Sequence, residues 1–292
     1  PEDVRAYFGD GTDEFHMGFH FPLMPRIFKS LRTGERSSLE WILDKTPALP
    51  GECQWCTFLR NHDELTLEMV TEEERQWMWE VYAPDPRMRL NLGIRRRLAP
   101  LLDNQRSKIE LANSLLFTMQ GSPIIYYGDE IGMGDNIWLF DRNGVRTPMQ
   151  WDSSPQAGFS EAAPENFYSP VIESEQYSPK QINVFDLRGD PHSLYNTLRR
   201  MLAVRKQHPA FGRGTFAWIG DNPHVAAYLR VSDTDQVLIV NNLSDEVQEL
   251  VLEIDHWEKA PVNLLTGAFL EAGSEERLKL RLEPYAYLWL AV

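Results

Sequence analysis

The sequence has little cysteine, no excess of basic residues and no long apolar run, and each shortage excludes a class of protein. The net charge is −14, which argues against surfaces that bind nucleic-acid phosphates or anionic membranes. No apolar run approaches the roughly 20 residues of a membrane helix, and no Gly-rich phosphate loop occurs. The composition, 42% hydrophobic and 25% charged, is that of an ordinary globular protein.

The two cysteines, Cys53 and Cys56, lack the second pair or nearby histidines that a zinc or redox site needs. We therefore expect two ordinary thiols at the start of a strand and no metal site. Low cysteine content and the absence of a signal peptide predict a cytoplasmic protein. Because residue 1 is proline, we expect that the natural polypeptide begins further upstream.

Residues 1–208 alternate short apolar strands with helical stretches, the pattern of parallel β/α units. Hydrophobic periodicity predicts strands at 15–21, 56–61 and 124–127, and helices at 22–31, 72–81, 107–119 and 194–207. Two long polar segments, 66–104 and 128–181, are predicted to be functional, because compact domains seldom carry such long loops. The three arginines at 95–97 are expected to form a solvated or ion-paired loop.

From residue 209 the pattern changes to short alternating strands, at 225–231, 237–242, 247–254, 262–265, 278–282 and 286–292. They predict an antiparallel β-sandwich domain over residues 209–292. Three β/α units cannot close a sheet, whereas a (β/α)8 barrel needs eight strands. We therefore predict an α/β fold in which residues 1–208 are about the last three units of such a barrel. The alternative, a small open α/β sheet, offers too small a core for such long loops.

Three segments contain the candidate functional residues. The first, FLRNHDE at 58–64, ends a predicted strand, and in β/α barrels that end builds the active site. Asn-His-Asp alone is a weak signal, because structural histidines and capping aspartates often produce it. In the second, GSPIIYYGDEIG at 121–132, Asp129 and Glu130 are expected to order the strand end rather than react. The third, DRNGVRTPMQWD at 141–152, contains Arg146, for which a plain surface arginine is the alternative.

These segments resemble the α-amylase superfamily of glycoside hydrolases, in which a strand ends in NHD and a later loop reads RTPMQW. Within it, segments 15–25, 61–71 and 132–139 are most similar to the trehalose synthases. The resemblance implies that Asp63 is the third catalytic carboxylate, which stabilises an oxocarbenium-like transition state through the sugar hydroxyls. It also implies substrate-binding roles for His62, Glu64 and Arg146, with Arg146 reaching either the glucose at the cleavage subsite or an Asp of the upstream half.

The activity that this resemblance implies is a retaining intramolecular transfer that converts maltose to trehalose, with some hydrolysis to glucose. The nucleophilic Asp and the acid Glu are expected upstream, because residues 1–10 resemble the stretch that follows the acid. The chain alone is therefore predicted to be inactive. The segments 66–104 and 128–181 are the expected lid over the site.

Maltose, trehalose, glucose and the upstream barrel half are the implied partners, and a homo-oligomer is left open. No cofactor is implied for this segment, and any structural Ca²⁺ would belong to the upstream part. Two alternatives remain, a hydrolase of the oligo-1,6-glucosidase type and an inactive sugar-binding fragment.

Overall fold

The computed structural model of the protein describes residues 2–254, 260–270 and 277–292. Its helices are α1 (Leu23–Thr33), α2 (Ser37–Asp44), α3 (Glu72–Tyr82), α4 (Leu98–Leu101), α5 (Arg106–Thr118), α6 (Val184–Gly189), α7 (Leu194–Gln207) and α8 (Pro209–Arg213). Its strands are β1 (Met17–Phe19), β2 (Gln54–Phe58), β3 (Leu65–Thr66), β4 (Arg89–Leu90), β5 (Gly93–Ile94), β6 (Ser122–Ile124), β7 (Thr215–Trp218), β8 (Val225–Ser232), β9 (Asp235–Asn242), β10 (Gln248–Glu253), β11 (Val262–Asn263), β12 (Arg277–Leu282) and β13 (Tyr287–Ala291).

Contacts between residues divide the chain into two compact units, one of residues 1–57, 111–123 and 200–292 and one of residues 58–110 and 124–199. The predicted domain boundary at residue 208 stays a prediction. Within the described ranges, no helix combines the length and the apolar character that crossing a bilayer requires.

The first unit contains the predicted β/α pattern, a sheet of order β1–β2–β6 in which β1 and β2 are parallel. Helix α1 follows β1 and buries Leu23, Met24, Ile27, Phe28 and Leu31, which recur with helical spacing. It ends at Gly34, whose positive φ of 70° suits glycine at a helix C-terminus. Helix α2, which follows, was not predicted from the sequence.

The predicted strands exist, but their ends differ from the predicted bounds. Strand β1 is confined to residues 17–19, and β2 covers 54–58 instead of 56–61 because the chain turns at Asn61. Cys56 therefore lies inside β2 rather than at its start. Both cysteines are buried free thiols, and burial raises the pKa of Cys56. Strand β6 ends at Ile124, because the carbonyl of Tyr126 already accepts a turn hydrogen bond from the amide of Asp129.

The C-terminal part of the first unit is an antiparallel β domain. A five-stranded sheet has the order β11–β13–β9–β8–β7, and β10 pairs with β12. Along β12, Leu278, Leu280 and Leu282 are buried and alternate with exposed residues, the pattern of a strand with one face in a core. They share that core with Val225 and Leu238 of the larger sheet. The predicted two-layer β domain is thus confirmed, and β7 is an addition to it.

The second unit contains the two long segments that follow β2 and β6. Helix α3, predicted at 72–81, begins with a capping box in which Thr71 and Glu74 exchange side-chain and backbone hydrogen bonds. A small antiparallel sheet of order β3–β5–β4 comes with it and was not predicted. Helices α5 and α7, each of which the division assigns partly to either unit, lie within one residue of their predicted bounds. The second segment contains short 3₁₀ turns, among them Asp129–Ile131 and Asn143–Val145.

Candidate active site

The residues that follow β2 form a tight turn, which hydrogen bonds involving Asn61 and Arg60 stabilise. The backbone N–H of Asp63 donates to Asn61 Oδ1 at 2.9 Å, a common turn-closing bond for asparagine. The buried guanidinium of Arg60 donates to the carbonyl oxygen of Asp63 at 2.8 Å and to that of Arg96 at 2.6 Å. Burial lowers the pKa of Arg60 to about 10, which leaves it a cation at neutral pH. The backbone of residues 62–64 is therefore fixed.

Asp63 lies at the centre of a cluster of polar side chains. Its Oδ1 lies 2.8 Å from Arg146 Nη2 and 3.0 Å from Arg142 Nε, and its Oδ2 lies 3.3 Å from His62 Nε2. Arg146 also donates through Nε to the carbonyl oxygen of His62 at 2.8 Å. The side chains of Asp63 and His62 remain 43% and 66% exposed, so the cluster is open to a ligand. Three of the four predicted site residues are thus brought together.

Glu64, the fourth predicted site residue, is turned toward protein groups. Its side chain is only 12% exposed, and Oε2 lies 3.0 Å from Arg142 Nε. Oε1 accepts a hydrogen bond from Asn91 Nδ2 at 2.8 Å. The assignment of Glu64 to substrate binding stays a prediction.

Arg142 belongs to the same cluster, and the sequence analysis did not single it out. Its guanidinium lies 3.0 Å from both Asp63 and Glu64 and 2.8 Å from Asp141 Oδ1. Burial opposes its charged form, but the charges of Glu64, Asp141 and Asp63 outweigh that effect and raise the pKa of Arg142. The sequence feature that could have drawn attention to Arg142 is its position four residues before Arg146. Two side chains at that spacing, one on each side of a helical turn, point in similar directions.

Near Arg60 lies a buried arginine–aspartate pair, Arg97 and Asp129. Arg97 is fully buried, donates to the carbonyl oxygen of Tyr127 at 2.6 Å and lies 3.8 Å from Asp129 Oδ1. Burial raises the pKa of Asp129 to about 7, although Arg97 and Arg60 act in the opposite direction. Of the two expected environments, solvated or ion-paired, the structure shows the ion-paired one for Arg96 and Arg97. Backbone and ring contacts replace water around the guanidinium of Arg97.

A cavity of about 680 Å³ adjoins Arg146. Most of its large lining side chains are aromatic, namely Tyr127, Trp151, Phe159, Phe167 and Tyr168. Two polar atoms of other lining residues, Thr147 Oγ1 and Glu130 Oε2, are buried and have no hydrogen-bond partner within the described part of the chain. A largely apolar cavity that is also lined by an accessible polar group, here Arg146, is typical of a small-molecule site.

Within residues 2–254, 260–270 and 277–292, no three His, Cys, Asp or Glu side chains are grouped as they would be around an ion.

Comparison with known proteins gives the family. The catalytic domain of alpha amylase matches residues 87–214, and the C-terminal domain of maltogenic amylase matches residues 218–289. Trehalose synthase/amylase TreS of Mycobacterium tuberculosis is 54% identical over 274 residues, which are 91% of this chain and 46% of that protein. The trehalose synthase of Pimelobacter sp. is 49% identical over 303 residues, 99% of this chain and 53% of that enzyme. The chain belongs to the trehalose synthase family of the α-amylase superfamily.

The chain spans about half the length of these curated relatives. The solved alpha-amylase from H. orenii superimposes with a TM-score of 0.69 at 21% identity, covering 99% of this chain and 51% of its own. At that identity the likeness concerns the fold alone. It confirms the predicted architecture, part of a (β/α) barrel followed by a β domain.

Proposed function

We propose that this chain is the C-terminal part of a retaining α-glucosyltransferase that converts maltose to trehalose, with some hydrolysis to glucose. The observation that carries the proposal is the Asp63 cluster, which directly follows a parallel strand in a chain whose relatives are trehalose synthases. Barrel enzymes carry their catalytic groups at that end of the strands. The nucleophilic Asp and the acid Glu would come from the upstream barrel half, so the chain alone is inactive.

The cluster suits the charge that develops during glycosidic cleavage. In a retaining mechanism the sugar ring becomes positively charged, and hydrogen bonds to its hydroxyls strengthen in the transition state. The carboxylate of Asp63 would accept such bonds at its solvent-facing side, and His62 would donate to the same sugar. Because Arg142 and Arg146 already hold Asp63, little reorganisation is needed when the charge appears.

Arg146 has further N–H donors that can bind the substrate. Nε and Nη2 are used on His62 and Asp63, which leaves the N–H groups of Nη1 for a glucose hydroxyl. The adjoining cavity supplies aromatic faces for the apolar faces of a sugar ring. Such a pocket would exclude water, which is what separates transfer to glucose from hydrolysis.

The test is product analysis with and without an upstream half. The upstream half of the Pimelobacter relative would be fused to this chain, and fusion and chain alone would each be incubated with maltose. The anomeric proton signals in the NMR spectrum distinguish maltose, trehalose and glucose. We expect trehalose with a little glucose from the fusion and no conversion by the chain alone, and the intact Pimelobacter enzyme is the positive control.

Three results would contradict the proposal. Glucose as the sole product would indicate the alternative, a hydrolase of the oligo-1,6-glucosidase type. A fusion that unfolds cooperatively but leaves maltose unchanged would show that this half does not complete the site, and conversion by the chain alone would show that no upstream residues are needed.

A further inference from the structure

The guanidinium of Arg95 donates hydrogen bonds to several backbone carbonyl groups of one loop. Nη1 donates to the carbonyl oxygens of Leu139 and Asp141, each at 2.5 Å, and Nη2 donates to that of Ile137 at 2.9 Å. Nε donates to the carbonyl oxygen of Arg87 at 2.6 Å, which fixes the base of the side chain. Three carbonyl groups that converge on one planar cation define the curvature of residues 137–141.

Neighbouring residues fasten the start of the same loop. Arg96 Nε lies 2.9 Å from Asp135 Oδ2, and the backbone N–H of Arg97 donates to that oxygen at 2.7 Å. The guanidinium of Arg87 lies 3.7 Å from the ring centroid of Trp138, a cation–π contact. The loop is thus attached at Asp135, at Trp138 and through Arg95, and Arg95 binds the part nearest the candidate site.

The loop leads directly into the residues that contact Asp63. Asp141 has a positive φ of 52°, and its Oδ1 accepts a hydrogen bond from Arg142 Nη1 at 2.8 Å. Arg142 in turn lies 3.0 Å from Asp63 Oδ1, and the short turn that follows brings Arg146 to the same oxygen. A change in the backbone conformation at Asp141 would therefore move both Arg142 and Arg146.

We propose that Arg95 is a positioning residue that keeps Arg142 and Arg146 on Asp63 and thereby sets the ratio of trehalose to glucose. The inference rests on the proposed function, since it concerns the product ratio of that reaction. Without Arg95, water can bind the three freed carbonyl groups, because the side chain is only partly buried. The fold would persist while the loop loosens, and a looser loop admits water to the glucosyl intermediate.

The experiment compares Arg95→Gln, Arg95→Lys and a control, Arg281→Gln, in the fused enzyme. Arg281 lies on β12 and pairs with Glu249 at the exposed surface of the β domain. We expect Arg95→Gln to lower the rate of trehalose formation by about tenfold or more, because small misplacements of catalytic groups are costly. The glucose-to-trehalose ratio should rise several-fold, Arg95→Lys should be intermediate, and Arg281→Gln should match the parent fusion.

Hydrogen exchange supplies a readout that does not depend on activity. In Arg95→Gln the amides of residues 137–146 should exchange faster than in the parent, while those of β8 and β9 stay unchanged. An unchanged product ratio, or unchanged exchange over 137–146, would overturn the role of Arg95. So would a proportional loss of both products together with a general loss of stability. A parent fusion without trehalose would refute the proposed function, and the exchange measurement would still decide whether Arg95 holds the loop.

Discussion

The burial of His20, the residue after β1, makes a quantitative prediction about pH. Its Nδ1 accepts a hydrogen bond from the backbone N–H of Leu23 at 3.1 Å, and its Nε2 lies 2.7 Å from Thr46 Oγ1. The hydroxyl of Thr46 donates to the carbonyl oxygen of Ile42 at 2.8 Å. This chain of bonds requires a proton on Nε2 and none on Nδ1. The neutral imidazole is therefore fully paired, and protonation would break the bond to Leu23.

Burial lowers the pKa of His20 to about 4, from an ordinary value of 6.5. The unfolded chain therefore binds a proton on His20 at a higher pH than the folded chain does. Its contribution to stability is complete above pH 6.5 and is lost as the pH falls toward 4. Since one pKa unit corresponds to about 1.4 kcal/mol, the loss amounts to about 3 kcal/mol.

The assay is urea unfolding of the parent and of His20→Gln at several pH values between 4 and 8. Other titrating groups are common to both proteins, so the difference in unfolding free energy isolates His20. Between pH 8 and pH 4, we expect the unfolding free energy of the parent to fall by about 3 kcal/mol more than that of the variant. If the unfolding free energies of parent and variant differ by the same amount at pH 4 and at pH 8, the argument that His20 is held neutral is refuted.

Two further predictions concern the second unit. Gly128→Ala should lower the unfolding free energy by about 1–3 kcal/mol in urea melts, because φ is 86° and the methyl group would lie 2.5 Å from Met133 Sδ. Gly189→Ala, whose methyl group meets no atom within 4 Å, is the matched control, and an equal loss there would contradict the argument. Arg146→Lys should raise the KM of the fused enzyme for maltose about tenfold, since one ammonium cannot replace both the Nη2 bond to Asp63 and the Nε bond to the carbonyl of His62. A KM equal to the parent's in initial-rate kinetics would contradict that role.

The strongly periodic elements were predictable from the sequence alone. Helix α7 has its predicted bounds, and α5 is shifted by one residue, because their apolar residues recur with helical spacing. The ends of β2 and β6 were not predictable to that degree. Apolar or aromatic residues continue past both strands, and the turns at residues 61–63 and 126–129 decide where each strand stops. Tyr127, for example, was predicted in a strand but turns away, with its hydroxyl donating to the carbonyl of Thr147.

The sequence predicted only those residues of the candidate site that belong to recognisable motifs. Asp63, His62 and Arg146 stand in recognisable segments, and the structure brings them together. Arg142 and Arg95 were not assigned roles, because an arginine in a polar loop has the same local pattern whether it is solvated or bound. What distinguishes Arg95 is the convergence of backbone carbonyls 42 to 46 residues further along the chain. Local sequence does not encode such contacts.

The most direct test of the central claim, that Asp63 stabilises the transition state of glucosyl transfer, is the rate of trehalose formation by Asp63→Asn in the fused enzyme. The carboxylate lies beside two guanidinium groups, and asparagine keeps its shape while removing its charge. The control is Asp233→Asn in the exposed turn between β8 and β9. We predict a fall of about 10²–10³-fold or more for Asp63→Asn and none for the control. A rate for Asp63→Asn within twofold of the parent would contradict the account.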